Sequence, residues 1–184
     1  MQRFLFFVLV IAVFFAVIYI GQVLLTGNKQ TFLHSNMDLR SNAFDNKGDI
    51  PLKYTCDGDN VSPPFFVGSA PIGTQSFALV VEDPDAIGGV TFDHWVVWNI
   101  KMETTEIKEG FVPDGAMQGI NDFDEKGYGG PCPPKGASAH RYLFNLYALD
   151  TRLNINPDSR KEHLEKAMEG HILGQTTLLG LYKR

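Results

Sequence analysis

Five side chains at the ends of apolar runs carry most of the chemistry this chain could perform: Asp83, Asp85, His94, His140 and Tyr142. Asp83-Pro84-Asp85 closes the run 75–82 (QSFALVVE), and His94 opens the run 94–100 (HWVVWNI). His140 and Tyr142 open a third run, directly after a loop of Gly, Pro and small polar residues, 127–139 (GYGGPCPPKGASA). Gly and Pro exclude helix there and set turn geometry. If residues 140–150 form a strand, side chains two apart share a face. His140, Tyr142, Phe144 and Leu146 then point one way, and Arg141, Leu143 and Tyr147 the other. An imidazole and a phenol stand side by side next to a Gly-Pro turn with free backbone N–H groups. Donors of that kind make a pocket for a small anion without any Lys or Arg. The plain alternative is that His140 and Tyr142 are satisfied surface or core residues.

The same residues admit two enzymatic readings. Asp83 with two His makes a two-His, one-carboxylate metal set, although ligands this dispersed are less specific than a local motif. Ser62 and Ser138 lie in loops where a nucleophile could sit, but the chain has no G-x-S-x-G elbow to activate one. Binding is therefore expected rather than catalysis, with no catalytic residue, metal or other cofactor assigned. A carboxylate at Asp83 opposes a fully charged anion unless it orients a His. Anion affinity should then weaken as pH rises above the imidazole range.

The elements that must position these residues read as mostly β. Residues 37–44 alternate as a first strand, 50–54 are extended, and 75–82, 94–100 and 140–150 are longer strands. The run 94–100 is apolar on both faces, as in a strand covered on both sides. Asn156-Pro157 offers an N-cap and a first-turn proline for a helix of about three turns ending at Gly170. Residues 171–182 close as a last strand with Leu179 and Leu181 on one face. No helix separates the strands between 75 and 150, so a parallel α/β fold is excluded. An antiparallel β-sandwich of two packed sheets with a short C-terminal helix is the expected architecture.

Of the 184 residues, 20% are charged and the net charge is −5, so there is no basic excess for a nucleic-acid surface. Residues 4–25 (FLFFVLVIAVFFAVIYIGQVLL) hold roughly 20 apolar positions, the length of a bilayer-spanning helix. A cleaved signal would have a shorter run and a small-x-small cleavage site. Residues 1–26 are read as an uncleaved transmembrane anchor, with secretion after cleavage as the alternative; 27–38 as a linker; and 39–184 as an exported domain. Cys56 and Cys132 are the only cysteines. An exported domain permits a disulfide between them, and two buried free thiols remain the other reading.

Taken together, DIPLKYTCDGDNVSPP (49–64), EDPDA (82–86), HWVVWNI (94–100), GINDF (119–123), the block 127–150 and HILGQTTLLGLYKR (171–184) resemble the phosphatidylethanolamine-binding proteins. The resemblance is to their bacterial Raf-kinase-inhibitor-like branch and covers residues 39–184. It implies a sandwich with a small anion-binding cavity at one end, lined by Asp83, His94, Gly130, Pro131, His140 and Tyr142. It implies that Asp85 and Arg141 support the loops. The implied ligand is a small anion or phosphorylated head group, and members that modulate kinases and a peptidase imply a protein partner. Ile87 stands where such proteins usually carry Pro, which should loosen the loop to His94. Val67 stands where they usually carry Trp, which should remove a piece of the cavity wall.

Overall fold

A computed structural model describes residues 37–184. The expected anchor and most of the linker lie outside these residues. Among the described residues no helix is long and apolar enough to cross a membrane.

Among the described residues nine strands form two sheets. The larger is ordered β2-β9-β8-β4-β5-β7, with β2 Gly48–Asp49, β4 Ser76–Asp83, β5 Phe92–Lys101, β7 Met117–Gln118, β8 His140–Leu149 and β9 Ile172–Tyr182. The smaller is β1-β3-β6, from Leu39–Arg40, Phe65–Val67 and Glu106–Ile107. All pairs are antiparallel except β2 with β9.

Two apolar clusters explain why 94–100 lacks a polar face. Trp95 and Val97 join Phe77, Leu79, Phe144 and Leu146 against Phe65 and Ile107 of the small sheet. Val96 and Trp98 join Ala78, Val80 and Leu149 on the opposite face. There Leu164 and Met168 of the α-helix α1 (Lys161–Met168) cover them. The sandwich is thus backed by a helix layer, and β5 lies second from the sheet edge. Asn99 takes the left-handed conformation (φ 58°). Its amide and the backbone of Leu153 bond reciprocally at 2.8 Å, fastening the helix-side segment to β5.

Three local expectations are corrected. The helix begins at Lys161, not Pro157, and is two turns long. The Asn156 side chain accepts from Asp158 N–H and its carbonyl from Ser159 N–H, so it closes an Asx turn instead of capping. Ser159 O in turn accepts from Ile120 N–H, holding this segment to the 119–121 loop before the helix can start. Residues 52–54 form a single 3-10 turn after Pro51 rather than an extended segment. The first strand is only Leu39–Arg40, because Ser41 Oγ leaves the ladder to bond Pro64 O and turns the chain through Ala43 N–H. On β9 the core face carries Leu178 and Gly180, while Leu179 and Leu181 share the other, half-buried face. Gly180 is required there, since a Cβ would lie 2.5 Å from Ile50.

Candidate functional site

Strand register brings the separated motifs to one end of the large sheet. Asp83 is the last residue of β4 and pairs with Phe92, the first of β5. Glu82 pairs with Leu143 of β8, and His140 pairs with Tyr182 near the end of β9. His94 is an inserted residue: Val81 pairs with Trp95 but Glu82 with Asp93, so a β-bulge falls at His94. Bulges re-aim side chains beside functional sites. Here the bulge leaves Trp95 in the inter-sheet core and Asp93 on the helix side.

The result is a cavity of about 370 Å³, whose lining includes Asp83, His94, His140 and Arg184 as its charged or titratable groups. Apolar wall comes from Ala86, Ile87, Phe92, Phe123, Pro133 and Pro134. Phe92, Phe123 and the His94 ring pack on one another with centroids 4.8–5.5 Å apart.

Asp83 is buried and uses both oxygens. Oδ1 accepts the Asp85 N–H at 2.8 Å, and Oδ2 lies 2.8 Å from His140 Nδ1. Since a carboxylate accepts, His140 donates from Nδ1 and keeps Nε2 unspent. The carboxylate therefore holds one histidine in place. His94 Nδ1 lies 2.6 Å from Gly129 O and must likewise donate, while Gly129 N–H returns a bond to His94 O. Burial pushes the His94 pKa down despite the Gly129 carbonyl and the Asp83 charge. The neutral ring keeps a lone pair on Nε2.

Tyr142 is not on the cavity wall. It lies fully buried beneath it, edge-on to His94 with centroids 5.3 Å apart. Among the described residues its Oη has no hydrogen-bond partner of normal geometry, although the Asp83 carboxylate and the Cys132 backbone lie close to it. Burial and then the Asp83 charge push its pKa upward, so it is an un-ionised phenol.

The Gly-Pro turn is placed differently from the expectation. Gly130 and Pro131 are buried behind the lining. Gly130 N–H donates to Asn60 Oδ1, and Pro131 O accepts from Cys56 N–H. The turn's N–H groups are thus spent inside the protein, because Gly130 is pressed against the Tyr54–Thr55 backbone where a Cβ would lie 2.5 Å from Tyr54 O. Cys132, Pro133 and Pro134 line the cavity instead. Cys132 is disulfide-bonded to Cys56, 76 residues away. Val67 is also not a wall residue; it is buried between the sheets, paired with Leu39.

Asp85 and Arg141 clamp the loop leaving β4. Arg141 donates Nε and Nη2 to the two Asp85 oxygens at 2.8 and 2.7 Å, and its backbone N–H adds a third bond. The guanidinium beside it lowers the Asp85 pKa to about 2.

The phosphatidylethanolamine-binding protein family model matches residues 40–183. This chain belongs to that family. Among curated relatives, a UPF0098 protein of Methanothermobacter thermautotrophicus is 48% identical over 153 residues, covering 80% of this chain and 99% of the relative. A UPF0098 protein of Aquifex aeolicus is 47% identical over 153 residues, covering 80% and 89%. Escherichia coli YbcL, a solved member, superposes with a TM-score of 0.76 at 30% identity, covering 80% of this chain and 98% of YbcL. The phosphatidylethanolamine-binding protein homolog of Chlamydia trachomatis gives 0.76 at 39% identity, covering 80% and 97%. The likeness to YbcL places the chain in the bacterial branch of this family of binding proteins.

Sequence reasoning missed Arg184, Phe92 and Phe123. Arg184 follows β9, whose register with β8 carries it to the cavity, and no local pattern marks it. It donates to Asp57 at 2.7–3.1 Å and reaches Cys132 Sγ at 3.5 Å. Phe123 is held by Asn121, whose Oδ1 accepts from Phe123 and Glu125 N–H and whose Nδ2 bonds Gly127 O. The signal was the GINDF motif, which was legible but had no assigned role. Among the described residues no three acidic, His or Cys groups are set to hold a metal ion.

Proposed function

We propose that this domain binds a small anion, a phosphate or phosphorylated head group, and that residues 4–25 tether it to a membrane with the domain exported. The observation that carries the ligand is the convergence of the buried Asp83–His140 pair, His94 and Arg184 on one small cavity. Arg184 supplies a fixed positive charge, shared with Asp57. At neutral pH the unspent nitrogen of His94 accepts a hydrogen bond from a singly protonated phosphate, and on acidification it becomes a donor. Asp83 opposes a second negative charge and favours a ligand carrying a proton or an ammonium group. The aromatic and prolyl wall takes the ligand's carbon portion. Nothing in this arrangement calls for a nucleophile, so the reading is binding without turnover.

Calorimetric titration of phosphate and phosphoethanolamine between about pH 5.5 and about pH 8.5 tests the reading. Affinity should fall on the order of tenfold across that range. Because the His94 pKa is depressed, its share of the gain appears only below the ordinary histidine range. A flat profile sinks the histidine role.

The exposed rim residues Ile87, Val90 and Phe123 support a second reading, in which a protein such as a kinase or peptidase seats over the cavity. Pull-down with wild type and His94→Ala/His140→Ala separates cavity-dependent capture from surface capture.

A further inference from the structure

The end of the sandwich opposite the cavity carries its own apolar surface. Ile72 is 93% exposed at the tip of the turn before β4, and Ile172 and Leu173 are exposed at the start of β9. Met102, just after β5, is exposed as well. These segments are neighbours. Ser76 at the start of β4 pairs with Lys101 and with Leu149. Leu149 pairs with Ile172, and a bulge follows, so Leu173 is an extra residue released from the ladder. Pro71 packs on Gly174, and Leu173 reaches Gly73. Among the described residues nothing covers this surface, and a β-branched residue at a turn tip does nothing for the turn itself.

The chain joins the described domain at this same end. Met37 packs beside Gly174. Between it and the apolar run 4–25 lie Thr26 and the ten residues 27–36. Those eleven residues reach at most about 40 Å even fully drawn out. The two ends of β8, His140 at the cavity and Leu149 at the patch, are about 30 Å apart at the rise of a strand. A membrane holding residues 4–25 can therefore meet the Ile72–Leu173 end with length to spare. It can meet the cavity end only with the connecting residues drawn out over about three quarters of that reach.

We infer that the Ile72, Ile172, Leu173 and Met102 surface docks on the lipid bilayer that carries the tether, and that the cavity consequently opens away from it. Tethering keeps the patch at high effective concentration near the lipid, so a few aliphatic side chains suffice. The cavity then draws its anion from the aqueous side, not from a head group in the supporting leaflet. This inference rests on residues 4–25 acting as an anchor.

The test uses the full chain in phosphatidylcholine vesicles with brominated acyl chains, with Ile72→Trp and Ile87→Trp compared separately. Trp95 and Trp98 are fully buried and give a common background. Ile72→Trp should be quenched severalfold more than Ile87→Trp, which marks the cavity rim. Equal or reversed quenching, or none at either position, overturns the docking. Alkaline carbonate washing is run in parallel. If it strips the chain from the vesicles, the anchor and this inference fail together; if the chain stays and Ile72→Trp is unquenched, only the docking fails. Adding phosphatidylethanolamine to the vesicles should leave the affinity for soluble phosphoethanolamine within about twofold. A larger drop shows that bilayer head groups reach the cavity and overturns the orientation. Failure to bind phosphoethanolamine under any condition removes the ligand reading and leaves the quenching result to stand or fall alone.

Discussion

Lys161→Met would test the charged group that braces the back of the site. Lys161 Nζ, at the first residue of α1, lies 2.8 Å from Glu82 Oε2 and 2.8 Å from Asp93 Oδ1. Its side chain is 15% exposed, and those of Glu82 and Asp93 are 18% and 9%. One cation thus serves two carboxylates in a largely dry place, directly behind Asp83 and His94. Burial raises the Asp93 pKa to about 6, although Lys161 pulls it down. Burial also works against the Lys161 charge, but its bonds to Asp93 and Glu82 prevail and hold its pKa above normal. Removing the cation leaves two uncompensated acids, a loss of about 3–5 kcal/mol at pH 7. A carboxyl with a higher pKa folded than unfolded stabilises the fold at low pH and loses that contribution as pH rises through the folded value. Wild type should therefore gain about 1 kcal/mol from Asp93 on going from pH 7 to pH 5. In the variant the Asp93 pKa climbs further, adding about 1.4 kcal/mol for each unit until it passes 7. Urea denaturation at the two pH values measures both quantities. A cost below about 1 kcal/mol at pH 7, or an identical cost at pH 5, would refute the argument that these acids depend on one buried cation.

Tyr142→Phe removes a buried hydroxyl with no partner of normal geometry among the described residues, so stability should hold or rise by up to about 1 kcal/mol; a clear loss by thermal melting would mean that the hydroxyl bonds the nearby Asp83 carboxylate or Cys132 backbone. Replacing both Cys56 and Cys132 by Ser opens a link spanning 76 residues. On chain-entropy grounds it should cost about 4 kcal/mol in denaturation without reductant. Two reactive thiols in unfolded, unreduced wild type would show that no such link exists. Gly129→Ala places a methyl 2.4 Å from the Phe123 ring. It should swing that side chain off the cavity wall, weakening phosphoethanolamine binding severalfold while shifting the melting temperature by only a few degrees. Unchanged affinity would show that Phe123 is not part of the working wall.

Much of this protein is a consequence of local patterning. Alternation in 140–149 and the two-faced apolar run at 94–100 dictate strands and which side chains are buried, because a pleated strand permits only period-two exposure. Asp83, His94 and His140 were legible as candidates because they are polar groups at the ends of such runs. Their convergence was not, since it depends on which strands are neighbours and in what register, and those pairings join residues 57 positions apart in Asp83–His140. The bulge that inserts His94 leaves no mark in the residues themselves, because it is defined by the partner strand. The turn shows the limit of local reasoning most clearly. Glycine and proline announce a turn at 129–131, yet whether its N–H groups meet a ligand or the protein depends on Asn60 and the Tyr54–Thr55 backbone arriving from elsewhere. Arg184 depends on the fold still more, for an arginine beyond a strand acquires meaning only from the strand beside it.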